Sequence, residues 1–126
     1  FVYRNIDICR DQWRKTPAHL YGNHQAQVRY VTKLRFMIGL AKRMNVITGN
    51  EAHSAVQVTM GELAALVSNV ESALLAHEAA APVDADGVLW PSQTALYGAM
   101  AMQSEYNGRM LEMIREMAGA AFITLP

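Results

Sequence analysis

The chain has 126 residues, 52% of them apolar, and its 11 basic and 11 acidic residues cancel to a net charge of zero. That length suits one domain around one continuous core, and the apolar content excludes a disordered chain. The single cysteine, Cys9, rules out an internal disulfide and a cysteine-built metal cluster, and fits a reducing cytoplasm.

In chain order, residues 6–15 are predicted to form a short helix. Thr16 closes it, because a residue preceding proline (here Pro17) is pushed out of the α region. A second helix is predicted from about Ala18 or Asn23 to Ile47. Its row Val28, Val31, Leu34, Ile38 and Ala41 keeps steps of three and four, and Tyr30, Met37 and Met44 form a second row. Thr32 and Gly39, small and seven apart, predict a close contact with another helix. Thr48-Gly49-Asn50 supplies a stop and the next N-cap.

The third helix is predicted from about Glu51 to Ala80. Val56, Met60, Leu63, Val67, Val70, Leu74 and His77 alternate steps of four and three, the seam of a helix packed at a shallow angle in a bundle. Pro82 and Asp84-Ala85-Asp86-Gly87 end it. Pro91 and Ser92 open the fourth helix, proline being suited to a first helical turn. This helix carries Ala99, Met102, Tyr106, Met110, Met113 and Met117 on one face and ends near Gly119. No useful stretch alternates with period two. The predicted class is all-α, an antiparallel bundle of three long helices plus a short leading helix, with residues 1–126 forming a single helical-bundle domain.

The zero net charge hides a split: residues 1–50 hold nine Lys or Arg against Asp7 and Asp11, and residues 51–126 hold nine acids against Arg109 and Arg115. One reading pairs basic early helices with acidic later ones. The sharper reading is an anion site, such as one for phosphate, on the early helices. The basic residues do not form a dense cluster among aromatics, so nucleic acid is not an expected partner. No run of about 18 consecutive apolar residues exists, so no membrane span is expected. Phe1-Val2-Tyr3 and Phe122-Ile123-Thr124-Leu125-Pro126 are apolar, whereas natural termini are more often polar. The domain therefore reads as a fragment of a longer chain.

Chemistry-bearing patterns are sparse. His19, His24, His53 and His77 form no i, i+4 pair with one another or with Glu, and neither Glu51 nor Glu62 is followed by histidine three residues later, so no metal site is expected. His77, on the apolar seam, reads as a satisfied core histidine. Cys9 reads as a lone buried thiol and the methionine stripe of the fourth helix as core. Gly-rich phosphate loops are absent, and no catalytic residue is assigned.

Several phrases carry a resemblance. Phe1-Val2-Tyr3-Arg4-Asn5, followed by Asp7 and Cys9-Arg10, is similar to the lead-in to the helical domain of the 4-hydroxyphenylacetate 3-hydroxylase family. Gln25-Ala26-Gln27-Val28-Arg29, then Val31 and Lys33-Leu34, resembles the family's first long bundle helix. Gly61-Glu62-Leu63 and the Ala79 region resemble its second, and Gly119-Ala120-Ala121-Phe122-Ile123-Thr124-Leu125-Pro126 resembles the stretch that closes its third. The order is kept along the full length. In the related 4-hydroxybutyryl-CoA dehydratases an iron–sulfur cluster uses a histidine and a later cysteine. Here Ala26 stands seven residues after His19, where that cysteine belongs, so the dehydratase branch is disfavoured.

The resemblance implies the carboxy-terminal helical domain of an acyl-CoA dehydrogenase-like fold. It implies a monooxygenase that hydroxylates a phenolic substrate with O2 and reduced FAD supplied by a separate flavin reductase, working as a homo-oligomer, expected to be a tetramer. The fragment alone is expected to be inactive. The segment from Ala120 to Thr124 is the first candidate for flavin contact, followed by Arg29 and Gln57. Two other readings are an acyl-CoA dehydrogenase-type flavoenzyme fragment and a non-catalytic helical interaction module.

Overall fold

The computed structural model describes residues 3–119. Four helices follow one another: α1 (Ile6–Lys15), α2 (Ala18–Ile47), α3 (Ser54–Ala79) and α4 (Gln93–Ala118). The three long ones pack as an antiparallel bundle, the arrangement expected from their seams.

Local chemistry sets the boundaries. The Asn5 side chain accepts from the Ile8 amide at 3.1 Å, capping α1. Asp7 in the first turn and Arg14 and Lys15 in the last complement the helix dipole. Thr16 is extended, as Pro17 requires, and α2 starts directly after it. At the far end of α2 the chain turns through Gly49 at φ +70, where a Cβ would cost about 1–2 kcal/mol. Helix α3 begins at Ser54 rather than near Glu51, and its N-cap is His53, not Asn50. Asn50 instead closes the preceding turn, its amide donating to the Asn45 carbonyl at 2.9 Å while its own carbonyl accepts from His53. Pro91 and Ser92 stand just ahead of α4, with Ser92 as N-cap.

One apolar cluster joins all three long helices: Tyr30, Val31, Leu34 and Ala41 from α2; Leu63, Leu66, Val67 and Val70 from α3; Met110, Met113 and Ile114 from α4. Burying a leucine of this kind contributes about 1.5–3 kcal/mol. Helix α3 has the length and mean hydropathy of a membrane span. Its Leu63, Leu66, Val67 and Val70 build this core, however, and Glu62 and Glu71 interrupt it, so it reads as a bundle helix.

Some expected contacts differ. Val28 is exposed, and Gln27 takes the buried place beside Tyr30 and Val31. Met102 is also exposed on α4, whereas Leu96, Ile114 and Ala118 are buried. Thr32 and Gly39 meet no second helix: both are exposed, and nothing lies within 4 Å of a Cβ built on Gly39. They share the outer side of α2 with Val28, Phe36, Leu40 and Ile47, of which Phe36 is 68% and Ile47 69% exposed. Cys9 is exposed rather than buried, on a helix that buries no residue.

Basic early helices pair with acidic later ones at few places among the described residues. Arg35 Nε meets Glu71 Oε1 at 2.5 Å, and His24 faces Glu78. Arg109 on α4 reaches Glu62 and its own-helix neighbour Glu112.

Candidate functional site

Arg29 lies on the side of α2 that faces α4. Residues 26, 29, 30 and 33 share that side because steps of three and four return to one helix face. Opposite them stand Gln103, Ser104 and Asn107, and the two rows enclose an open groove of about 530 Å³. Its floor is polar and tied down. Gln27 Nε2 donates to Gln103 Oε1 at 2.8 Å, and the Tyr30 hydroxyl donates to the Gln103 carbonyl at 3.2 Å. Burial, reinforced by Tyr106, raises the Tyr30 pKa above its ordinary 10.0, so the hydroxyl stays a donor at neutral pH. Lys33 Nζ donates to Asn107 Oδ1 at 3.1 Å. Among the described residues neither Arg29 nor Lys33 forms an ion pair. The groove thus offers two cations with amide and hydroxyl groups around them, a chemistry suited to a phosphate-bearing ligand.

Gln57 occupies a different place. It lines a second groove with Lys42, Asn45, Val46, Glu51, Val56 and Met60. Lys42 is thirteen residues beyond Arg29 on α2, about 20 Å along the axis, so the structure does not bring Arg29 and Gln57 together. Asn45 of this groove touches Met117 Sδ at 3.5 Å, so α4 finishes at the same end of the bundle. Ala120 and Thr124 follow that finish and lie outside the described residues.

At the opposite end the structure assembles what local spacing did not reveal. His24 Nδ1 of α2 lies 2.8 Å from His77 Nε2 of α3, and His24 Nε2 lies 3.5 Å from Glu78 Oε1. His77 is fully buried and its Nδ1 has no partner among the described residues, so it is not the fully satisfied core histidine expected. A proton on His24 Nε2 facing the Glu78 carboxylate leaves His24 Nδ1 as acceptor and His77 Nε2–H as donor. Burial, and then His24, push the His77 pKa below its ordinary 6.5, with Glu78 opposing. The expectation of no metal site rested on i, i+4 spacing within one helix. The paired ring nitrogens come from two helices, on residues 53 apart in sequence, a relation with no local signature.

The connection between α3 and α4 secures this end. Asp84 Oδ1 accepts from the amides of Asp86 (2.9 Å) and Val88 (2.8 Å), and Oδ2 accepts from Trp90 Nε1 at 2.8 Å. The Val88 amide is the chief cause holding the Asp84 carboxyl below its ordinary 3.8; burial opposes it, and Trp90 and Asp86 assist. Beyond the loop, the Ser92 amide donates to the His77 carbonyl at 3.0 Å, and the Tyr21 hydroxyl reaches the Leu89 carbonyl. Asp84→Ala is expected to free the Trp90 indole. Its fluorescence should shift to longer wavelength and amide exchange at Val88 should accelerate; unchanged emission and exchange would remove Asp84 from this role. Because the folded pKa is depressed, the carboxylate's contribution is present above the ordinary value and lost as pH falls through the folded one.

Comparisons with known proteins agree with this architecture. The family model described as 4-hydroxyphenylacetate 3-hydroxylase C terminal matches residues 9–126. The 4-hydroxyphenylacetate 3-monooxygenase oxygenase component of Thermus thermophilus is 25% identical over 126 residues, covering 100% of this chain and 26% of that protein. The oxygenase component of the same description from Geobacillus sp. is likewise 25% identical, with the same coverage. A crystal structure of a mutant of HpaB superimposes with a TM-score of 0.88 at 25% identity, over 100% of this chain and 27% of that one. The chain spans about a quarter of the length of the curated relatives it matches.

Proposed function

The chain belongs to the 4-hydroxyphenylacetate 3-hydroxylase family, in its C-terminal region, and from that premise we propose that it is the helical, oligomerising portion of a flavin-dependent monooxygenase. In this reading the complete protein receives reduced FAD from a separate reductase and uses O2 to hydroxylate a phenolic substrate in the cytoplasm. The flavin supplies the oxygen chemistry, and the protein supplies binding, orientation and a dry setting. The catalytic and phenol-binding residues are assigned to parts of the longer protein outside these 126 residues. The family assignment favours this reading over an acyl-CoA dehydrogenase fragment and over a stand-alone interaction module.

The part proposed for this chain is to hold and orient. The Arg29–Lys33 groove fits the anionic portion of FAD: it has two cations free of carboxylate partners among the described residues, polar groups beside them and an open mouth. That pairing of cations is the observation that carries the flavin assignment. Gln57, and separately Ala120 and Thr124, which lie outside the described residues, are further proposed flavin contacts. The exposed row Val28, Phe36, Leu40 and Ile47 supports burial against other polypeptide, in a homo-oligomer proposed to be a tetramer.

In the full-length protein, Arg29→Ala is expected to weaken binding of reduced FAD by about 10–100-fold, the loss of one charge-assisted hydrogen bond of about 1.5–3 kcal/mol. Unchanged flavin affinity would remove Arg29 from the site, and absence of flavin-dependent phenol hydroxylation by the full-length protein would overturn the function. The 126 residues alone are expected to sediment as a self-associated species without oxygenase turnover. A compact monomer at micromolar concentration would count against the oligomerising role.

A further inference from the structure

We propose that His24, His77 and Glu78 form a binding site for a divalent transition-metal cation that clamps α2 to α3. Each residue offers one ligand atom, and the three atoms lie within 4.8 Å of one another. The closest pair is His24 Nδ1 and His77 Nε2 at 2.8 Å, two ring nitrogens that share a single proton. Two nitrogens on one tetrahedral zinc stand about 3.3 Å apart, given Zn–N bonds of about 2.0–2.1 Å. A small ring rotation therefore opens the gap enough for a cation to replace that proton.

His77 is fully enclosed and its ring is already presented to a second imidazole, so the ligand itself loses no further water on binding, while the cost of dehydrating the ion is offset by the Glu78 charge. Glu78, with its side chain 46% exposed, supplies a negative charge and keeps one side open to solvent for ion entry. Two imidazoles and a carboxylate form a set that zinc accepts with water in the fourth position, and imidazole donors select zinc, copper, nickel or iron over magnesium or calcium. Ligation through Nε2 places the His77 proton on Nδ1, which has no acceptor among the described residues. Such a missing outer partner weakens affinity by about 10–100-fold, so the expected site is a moderate one.

The site lies apart from the Arg29–Lys33 groove, and its test does not depend on flavin. The full chain, stripped with chelator, is titrated with Zn2+ alone by calorimetry. One ion per chain is expected, with a rise in the midpoint of thermal unfolding that chelator reverses. His24→Ala and Glu78→Gln, both on side chains that reach solvent, are expected to lower the affinity by at least about tenfold. His53→Ala, an exposed histidine elsewhere, keeps it. Co2+ is expected to give a ligand-field spectrum that His24→Ala abolishes. Stoichiometry well below one, or affinity unchanged in either His24→Ala or Glu78→Gln, would overturn the proposal.

Discussion

Leu63→Ala is expected to lower unfolding stability by about 2–5 kcal/mol. Leu63 has no exposed surface and stands in the cluster with Leu34 of α2, also fully buried, and Met110 of α4, 1% exposed. Truncation removes the transfer free energy of the lost carbons and leaves a void. Three helices border that void, so none can collapse into it without separating from another. Domains of this size are stable by about 5–15 kcal/mol in total, so one such change takes a large share. Val58→Ala, on the same helix at a position 63% exposed, is the control, with an expected effect within about 0.5 kcal/mol. Denaturant titration of the two variants checks this. A Leu63→Ala loss no larger than the control's would show that the seam does not hold the helices together.

Acidification is expected to destabilise the bundle through His77. Its folded pKa is depressed below the ordinary 6.5, mainly by burial and secondly by His24. A base with a depressed folded pKa takes up its proton more readily when unfolded. Its contribution to stability is therefore complete above 6.5 and is lost as pH falls from there toward the folded value. Once charged, the ring has no acceptor at Nδ1 and faces a second imidazole at Nε2. The unfolding midpoint should fall over that window in the native chain, and the slope should flatten in His77→Gln. Equal slopes in the two proteins would assign the acid sensitivity to other groups.

The helices were legible in the residues because each long one carries a continuous seam. Leu63, Val67, Val70 and His77 are buried in the order that steps of three and four require. Boundaries were legible where a backbone constraint is absolute, as at Thr16–Pro17 and Gly49, and less so where an amide has alternative partners, as at Asn50. The α2 row erred at Val28 because an apolar side chain does not by itself distinguish this bundle's interior from a face meant for something else. Gln27 is buried instead because Gln103, 76 residues away, satisfies it. The candidate site was legible only in part. Arg29 was singled out, but the groove that gives it company depends on Gln103, Ser104 and Asn107 crossing from α4. The histidine pair was hidden for the same reason, and the Asp84 turn looked like a polar break because its order resides in backbone amides.

The central cluster takes Leu34, Leu63 and Met110 from three different helices, so α2, α3 and α4 share one interior. The segment is therefore expected to unfold in one transition. A ribosome-bound chain that has released α2 and α3 but not α4 is expected to hold an unsealed hairpin whose shared interior is completed only when the last long helix arrives. Shortening α4, or cutting the Asp84 turn and losing the helix beyond it, is expected to leave an aggregation-prone remnant and not a smaller stable fold.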